Sequence, residues 1–162
     1  QHRSLSLAVG TFEHGEHEIT VVDTPGYPDF VAEMIQGFHA ADAALFVMSY
    51  HDAYWRPEDG SWNKTDPAEL LKRLFAGLKP GGVVVVQDHV ASPGGDVAKV
   101  VDTLHRIDPA LVKQDFARAG FAFDGESKVL THPEDDHTKL VFDESIRGKT
   151  DQFIYRFRKP IP

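Results

Sequence analysis

Four consecutive valines, Val83–Val86, stand between the turn Leu78-Lys79-Pro80-Gly81-Gly82 and the polar run Gln87-Asp88-His89. Branched side chains stiffen the backbone toward extended structure, and a short unbroken apolar run fits a strand covered on both faces. Such a strand needs helices packed on it. The flanking sequence supplies them. Asp66-Pro67 places an N-cap and a first-turn proline, with Glu69 at the third helical position. Leu70, Leu71, Leu74, Phe75 and Leu78 then recur at helical spacing. A second helix is expected near Asp96–His105, and a third from Asp108-Pro109 to Gly120.

The other strands are shorter apolar runs. Ala43–Met48 reads as a buried strand, Phe121–Leu130 as another. Phe153, Tyr155 and Phe157 alternate with Ile154, Arg156 and Arg158 in the last one. With no helix between them, the final two strands are expected to be antiparallel. Near the start, Leu5, Leu7, Val9 and Phe12 and then Ile19–Val22 flank Glu13-His14-Gly15-Glu16-His17, the pattern of a hairpin with glycine at a positive φ. Phe30, Val31, Met34, Ile35 and Phe38 mark an amphipathic helix over 28–39. The expected class is α/β: a three-layer Rossmann-like sandwich with a mainly parallel sheet, an N-terminal hairpin and antiparallel C-terminal strands. Strands are expected near 4–12, 18–23, 43–49, 82–88, 121–130 and 151–158.

At 162 residues one domain is expected. No cysteine occurs, which excludes disulfides, thiolate catalysis and zinc–thiolate sites. A net charge of −8 lacks the footprint of a nucleic-acid or anionic-membrane binder, so neither partner is expected. The longest apolar run is six residues, and a cytoplasmic protein is expected. The charge is uneven. Residues 1–48 carry one basic side chain, Arg3, against seven acidic ones. The rest is nearly balanced.

Asp23-Thr24-Pro25-Gly26 closes the second expected strand. D-x-x-G there can bring an aspartate to a magnesium shell and a glycine amide to a γ-phosphate. With Tyr27-Pro28-Asp29-Phe30, Glu33 and Ala41-Asp42-Ala43-Ala44-Leu45, the stretch 4–47 resembles the second-switch segment of translational GTPases of the elongation-factor class. The resemblance implies nucleotide contacts at Asp23 and Gly26. Most members carry a water-positioning histidine at the place of Tyr27. Downstream, Asn63-Lys64-Thr65-Asp66 matches a guanine-reading N-K-x-D, and Gly148-Lys149-Thr150 the tail of a phosphate loop. Loop context before the first and strand context after the second argue against a permuted GTPase.

Residues 48–162 carry a second set: Tyr50-His51-Asp52-Ala53-Tyr54-Trp55, Leu78–Gly82, Asp88-His89, His105-Arg106-Ile107-Asp108, Asp135-Asp136-His137 and Arg147-Gly148-Lys149-Thr150-Asp151. Together they resemble the C-terminal half of class I S-adenosylmethionine-dependent methyltransferases. The resemblance implies Tyr50, His51 and Asp52 beside a transferred methyl. It implies Asp88 and His89 on the acceptor side, and Arg147, Lys149 and Asp151 closing over the site. The glycine-rich cofactor turn of such enzymes has no counterpart, since G-x-G occurs nowhere in the sequence.

The two resemblances meet inside one strand, near 46–49, where the charge also changes. An artificial chimera of two α/β fragments without evolved catalytic activity is therefore expected, with no cofactor. The alternatives are a weakened S-adenosylmethionine-dependent methyltransferase and a GTP-binding module. His–carboxylate pairs at strand ends could serve acid–base work. His132–His137 could attract a divalent cation, although a solvated loop is the simpler reading, and no metal is expected. Tyr54, Trp55 and Trp62 could line a small pocket or pack a loop. A sheet assembled from two parts leaves an edge unpaired, so a homo-oligomer through that edge is also expected.

Overall fold

A computed structural model describes residues 8–23, 41–58 and 66–162. Two strands, β1 (Ala8–His14) and β2 (His17–Asp23), form a hairpin that makes its own two-stranded sheet. Its turn places Gly15 at φ +62°, the glycine role the sequence assigns. The remaining strands are β3 (Ala41–Val47), β4 (Leu78–His89), β5 (Ala122–Ser127) and β6 (Gln152–Arg158), in the order β3-β4-β6-β5. β3 runs parallel to β4, while β6 is antiparallel to both β4 and β5. Three of the four strands thus share one direction. The chain is an α/β protein with a mainly parallel sheet, and its last two strands pair antiparallel as expected.

Among the described residues are three α-helices, two of which follow the predicted caps Asp66 and Asp108. The three are α1 (Pro67–Gly77), α2 (Val97–Leu104) and α3 (Pro109–Arg118). Asp66, Asp96 and Asp108 each accept from the amide two residues on, at 2.8–3.0 Å. Glu69 does not complete a capping box. Its carboxylate accepts from Arg73 Nε at 2.7 Å, because an arginine one turn ahead offers a charged partner.

The core lies between one face of the sheet and the helices α1 and α3. Val84 and Val86 meet Leu71, Leu74, Val112, Phe116, Tyr155 and Phe157 there. Phe116 stacks on Phe157 with ring centroids 4.0 Å apart. Val83 and Val85 point to the other face and are only half-buried. Among the described residues, the valine run is thus buried more deeply on one face than on the other. The helix expected at 28–39 lies outside the described residues. Among the described residues no helix is long and apolar enough to cross a membrane.

The turn before the valines is part of β4. Leu78 pairs with Ala41 and Val83 with Ala43, and a register shift between Ala41 and Ala43 absorbs the residues between. A Cβ on Gly82 would lie 2.9 Å from the Lys79 carbonyl oxygen and 3.2 Å from that of Asp42. Gly82→Ala should therefore destabilise the fold by about 1–3 kcal/mol, as overpacking against fixed backbone does. Urea denaturation followed by circular dichroism checks this. Lys159 secures the same corner, donating from Nζ to the carbonyls of Phe75 (2.6 Å) and Leu78 (2.8 Å) at the end of α1.

Candidate functional site

Parallel pairing of β3 and β4 brings their C-terminal ends side by side, the rim where open α/β sheets bind ligands. After β3 the chain turns through Met48, at φ +48°, into a 3-10 turn, His51–Tyr54. At the end of β4 stands Asp88, fully buried. Its Oδ2 accepts from the His51 amide at 3.0 Å, and its Oδ1 accepts from the His89 amide at 2.8 Å. Oδ1 also lies 2.8 Å from His51 Nδ1. A carboxylate only accepts, so the proton of that ring sits on Nδ1 and Nε2 is turned the other way. On that side Asp52 Oδ1 lies 3.4 Å from Nε2, on a side chain about one-third exposed.

Asp88, His51 and Asp52 thus form a line from the core toward solvent. Burial opposes charge on His51, but the hydrogen bond and charge of Asp88, with Asp52 behind it, outweigh burial and hold its pKa above the ordinary value. Asp52 is also raised, chiefly by burial. The outer carboxylate can take up a proton from a bound molecule and pass it to the ring when His51 is neutral. The inner carboxylate fixes the ring and stabilises the imidazolium. This is an acid–base arrangement.

Two further histidines border it. His89 Nδ1 is hydrogen-bonded to Thr150 Oγ1 at 2.9 Å, and burial lowers its pKa. His105, at φ +53°, lies with its ring centroid 5.6 Å from that of His51. Its pKa is lowered by burial and then by the His51 charge, and among the described residues its buried Nδ1 has no hydrogen-bond partner. Trp55 and Phe142 flank it at 6.2 and 5.1 Å. Trp55 donates from Nε1 to Asp102 at 2.8 Å. Spacing gave no reason to single out His105. Its only signal was its place beside Arg106 in His105-Arg106-Ile107-Asp108.

Other expected site residues lie elsewhere. Tyr50 belongs to the core, and its hydroxyl donates to Asp115 Oδ2 at 3.0 Å, beside that of Tyr54 at 2.5 Å. Asp151 is occupied within the loop before β6. It accepts from the His132 amide at 2.8 Å and pairs with His137 Nε2 at 3.0 Å. Arg147 and Lys149 are exposed. In the acidic run, Asp135 pairs with Arg106, and among the described residues no group of three or more His, Asp or Glu could hold a metal ion. Asp23 ends β2 opposite Ala8, while Gly26 lies outside the described residues, as do Trp62, Asn63, Lys64 and Thr65. A cleft of about 270 Å³ opens beyond β4, lined by Ser92, Gly94, Gly95, Val100, Leu111 and Gln114 among others, and none of Asp88, His51 and Asp52 lines it.

The likenesses to known proteins are of two kinds. The model of the elongation factor Tu GTP binding domain matches residues 2–65. An elongation factor G-like protein of Mycobacterium tuberculosis is 41% identical over 64 residues, 40% of this chain and 9% of that protein. Elongation factor 1-alpha of Methanocaldococcus jannaschii is 42% identical over 50 residues, 31% of this chain and 12% of that protein. The chain therefore spans only about a tenth of the length of these relatives. The family match runs past β3 and takes in His51 and Asp52, while Asp88 and His89 lie beyond it. In structure, the chain is similar to the [4+2]-cyclase SpnF, with a TM-score of 0.51 and 19% identity, over 76% of this chain and 51% of that one. The first 65 residues are thus similar in sequence to translational GTPases, and most of the chain shares its fold with SpnF.

Proposed function

We propose that the chain joins two α/β pieces of different origin, and that its functional site is the proton relay Asp88–His51–Asp52 at the sheet rim. The observation that carries this reading is the fully buried Asp88, whose two oxygens take three hydrogen bonds, two of them from His51. A carboxylate is expensive to bury. One spent on orienting a single histidine toward a partly exposed acid suits general acid–base work better than packing.

The join is proposed near 46–49, inside β3. The fall in acidic excess after residue 48 supports it, as do the methyltransferase-like motifs that begin with Tyr50-His51-Asp52, while the elongation-factor likeness runs on to residue 65. In this reading the relay survives from a methyltransferase-type half, in a fusion without evolved catalysis of its own. The shared fold with SpnF is compatible with that half and carries no activity with it. The sequence likeness of residues 2–65 favours a second reading, a GTP contact through Asp23 and Gly26.

Calorimetric titration separates the readings. Neither S-adenosylmethionine nor GTP with magnesium is expected to bind at micromolar concentration. Micromolar binding of S-adenosylmethionine would make the chain a methyltransferase-type binder, and micromolar binding of GTP a nucleotide module. The relay is tested separately by the His51 titration described below.

A further inference from the structure

The two edges of the four-stranded sheet are treated differently. At the β5 edge the pairing with β6 is broken by a register shift between Phe123 and Gly125, with Gly125 at φ +137°. Asp124 sits in that irregularity and binds both Arg156 and Arg158, at 2.9 and 2.7 Å. A bulge and fixed charges are devices that stop a further strand from adding.

β3 has none of these along Ala43–Val47. Among the described residues it pairs only with β4. Its register shift lies upstream, between Ala41 and Ala43. The one charge on the strand, Asp42, is upstream too and is paired with Lys79 at 2.8 Å. Five uncharged residues follow. Leu45 is 65% exposed and Val47 45%, on the face where Val83 and Val85 of β4 are half-buried.

We propose that this edge binds a second copy of the chain, β3 against β3 in antiparallel pairing about a two-fold axis at Leu45. The free amides and carbonyls of an edge call for another strand. The charge pattern selects the orientation. Parallel in-register pairing would set Asp42 against Asp42, whereas antiparallel pairing about Leu45 sets Ala43 against Val47, Ala44 against Phe46 and Leu45 against itself. No like charges meet, and the two-fold closes the assembly at a dimer with a continuous sheet of eight strands. The proposal is independent of the relay at the rim.

Sedimentation velocity across a concentration series tests it. The mass should rise from 18.0 kDa toward twice that value as the intact protein is concentrated. Leu45→Lys should hold it at one chain with unchanged circular dichroism. The absence of cysteine permits a second test that does not depend on that variant folding. Leu45→Cys should form a disulfide-linked dimer under mild oxidation, since side chains directly opposite on antiparallel strands lie about 4.5–5.5 Å apart at Cβ. Val129→Cys, more exposed at 77%, should not. A mass of one chain at every concentration overturns the proposal, as does equal crosslinking of the two cysteine variants.

Discussion

Replacing Asp135 by alanine should cost about 3–5 kcal/mol of stability, because it leaves a buried guanidinium without its counter-ion. Arg106 and Asp135 are both sealed from solvent and meet in a two-pronged pair, at 2.8 and 3.1 Å. Arg106 spends its other donors on the carbonyls of Lys139 (2.9 Å) and Val90 (3.0 Å). Asp135 in turn accepts from the amides of His137 and Asp151. One buried pair thus ties the end of β4 to the middle and the C-terminal end of the long loop before β6. Urea denaturation gives the loss directly. The double replacement Arg106→Met with Asp135→Leu should regain much of it, because it removes both buried charges together. Burial works against the Asp135 carboxylate, but the Arg106 hydrogen bond and the two amides outweigh it and hold its pKa below the ordinary 3.8. Its contribution is therefore present above about pH 4 and disappears as pH falls through the lowered value. A loss below about 1 kcal/mol would place the pair among surface ion pairs.

The same pair shows where sequence reading stopped. His105-Arg106-Ile107-Asp108, Asp135-Asp136-His137 and the segment ending at Asp151 were legible as a distinctive set. Their meaning was not. They resembled methyltransferase motifs, with Asp151 expected to close over the site. In the structure Arg106, Asp135, His137 and Asp151 hold a loop, Asp108 caps α3, and His105 alone borders the relay. A motif records that residues occur together, not which side chain turns inward. The helices were legible because their caps are local: Asp66 and Asp108 each act two residues on. The His51–Asp88 contact spans 37 positions and depends on β3 pairing parallel to β4, which no spacing prints. Position at strand ends was enough to nominate both residues but not to join them. Tyr50, next to His51, faces the opposite way because the 3-10 turn puts successive side chains on different sides.

Asp88→Asn should lower the pKa of His51 to the ordinary 6.5 or below, since burial, already the largest influence on the ring, would then act without its main opponent. Titration of the ring carbons by NMR reads this directly. The effect extends to stability, and its sign follows from the direction of the shift. A histidine whose pKa is raised by folding binds its proton more tightly in the native state. The stabilisation is complete below the unfolded value near 6.5 and disappears as pH rises through the raised native value. The parent protein should therefore lose stability through this group as pH rises above about 6.5, and Asp88→Asn should lose that slope. The variant should also be weaker at every pH. An amide in place of the carboxylate turns an N–H toward donors that Asp88 now satisfies, at a cost of about 1–3 kcal/mol for a buried group left unpaired. Asp52→Asn serves as the contrast, because it faces Nε2 from a partly exposed position and leaves Nδ1 held. Its effect on the His51 titration should be smaller and in the same direction. Equal shifts in the two variants would mean that Asp88 does not dominate the ring. An unchanged titration in Asp88→Asn would remove the relay as a functional site.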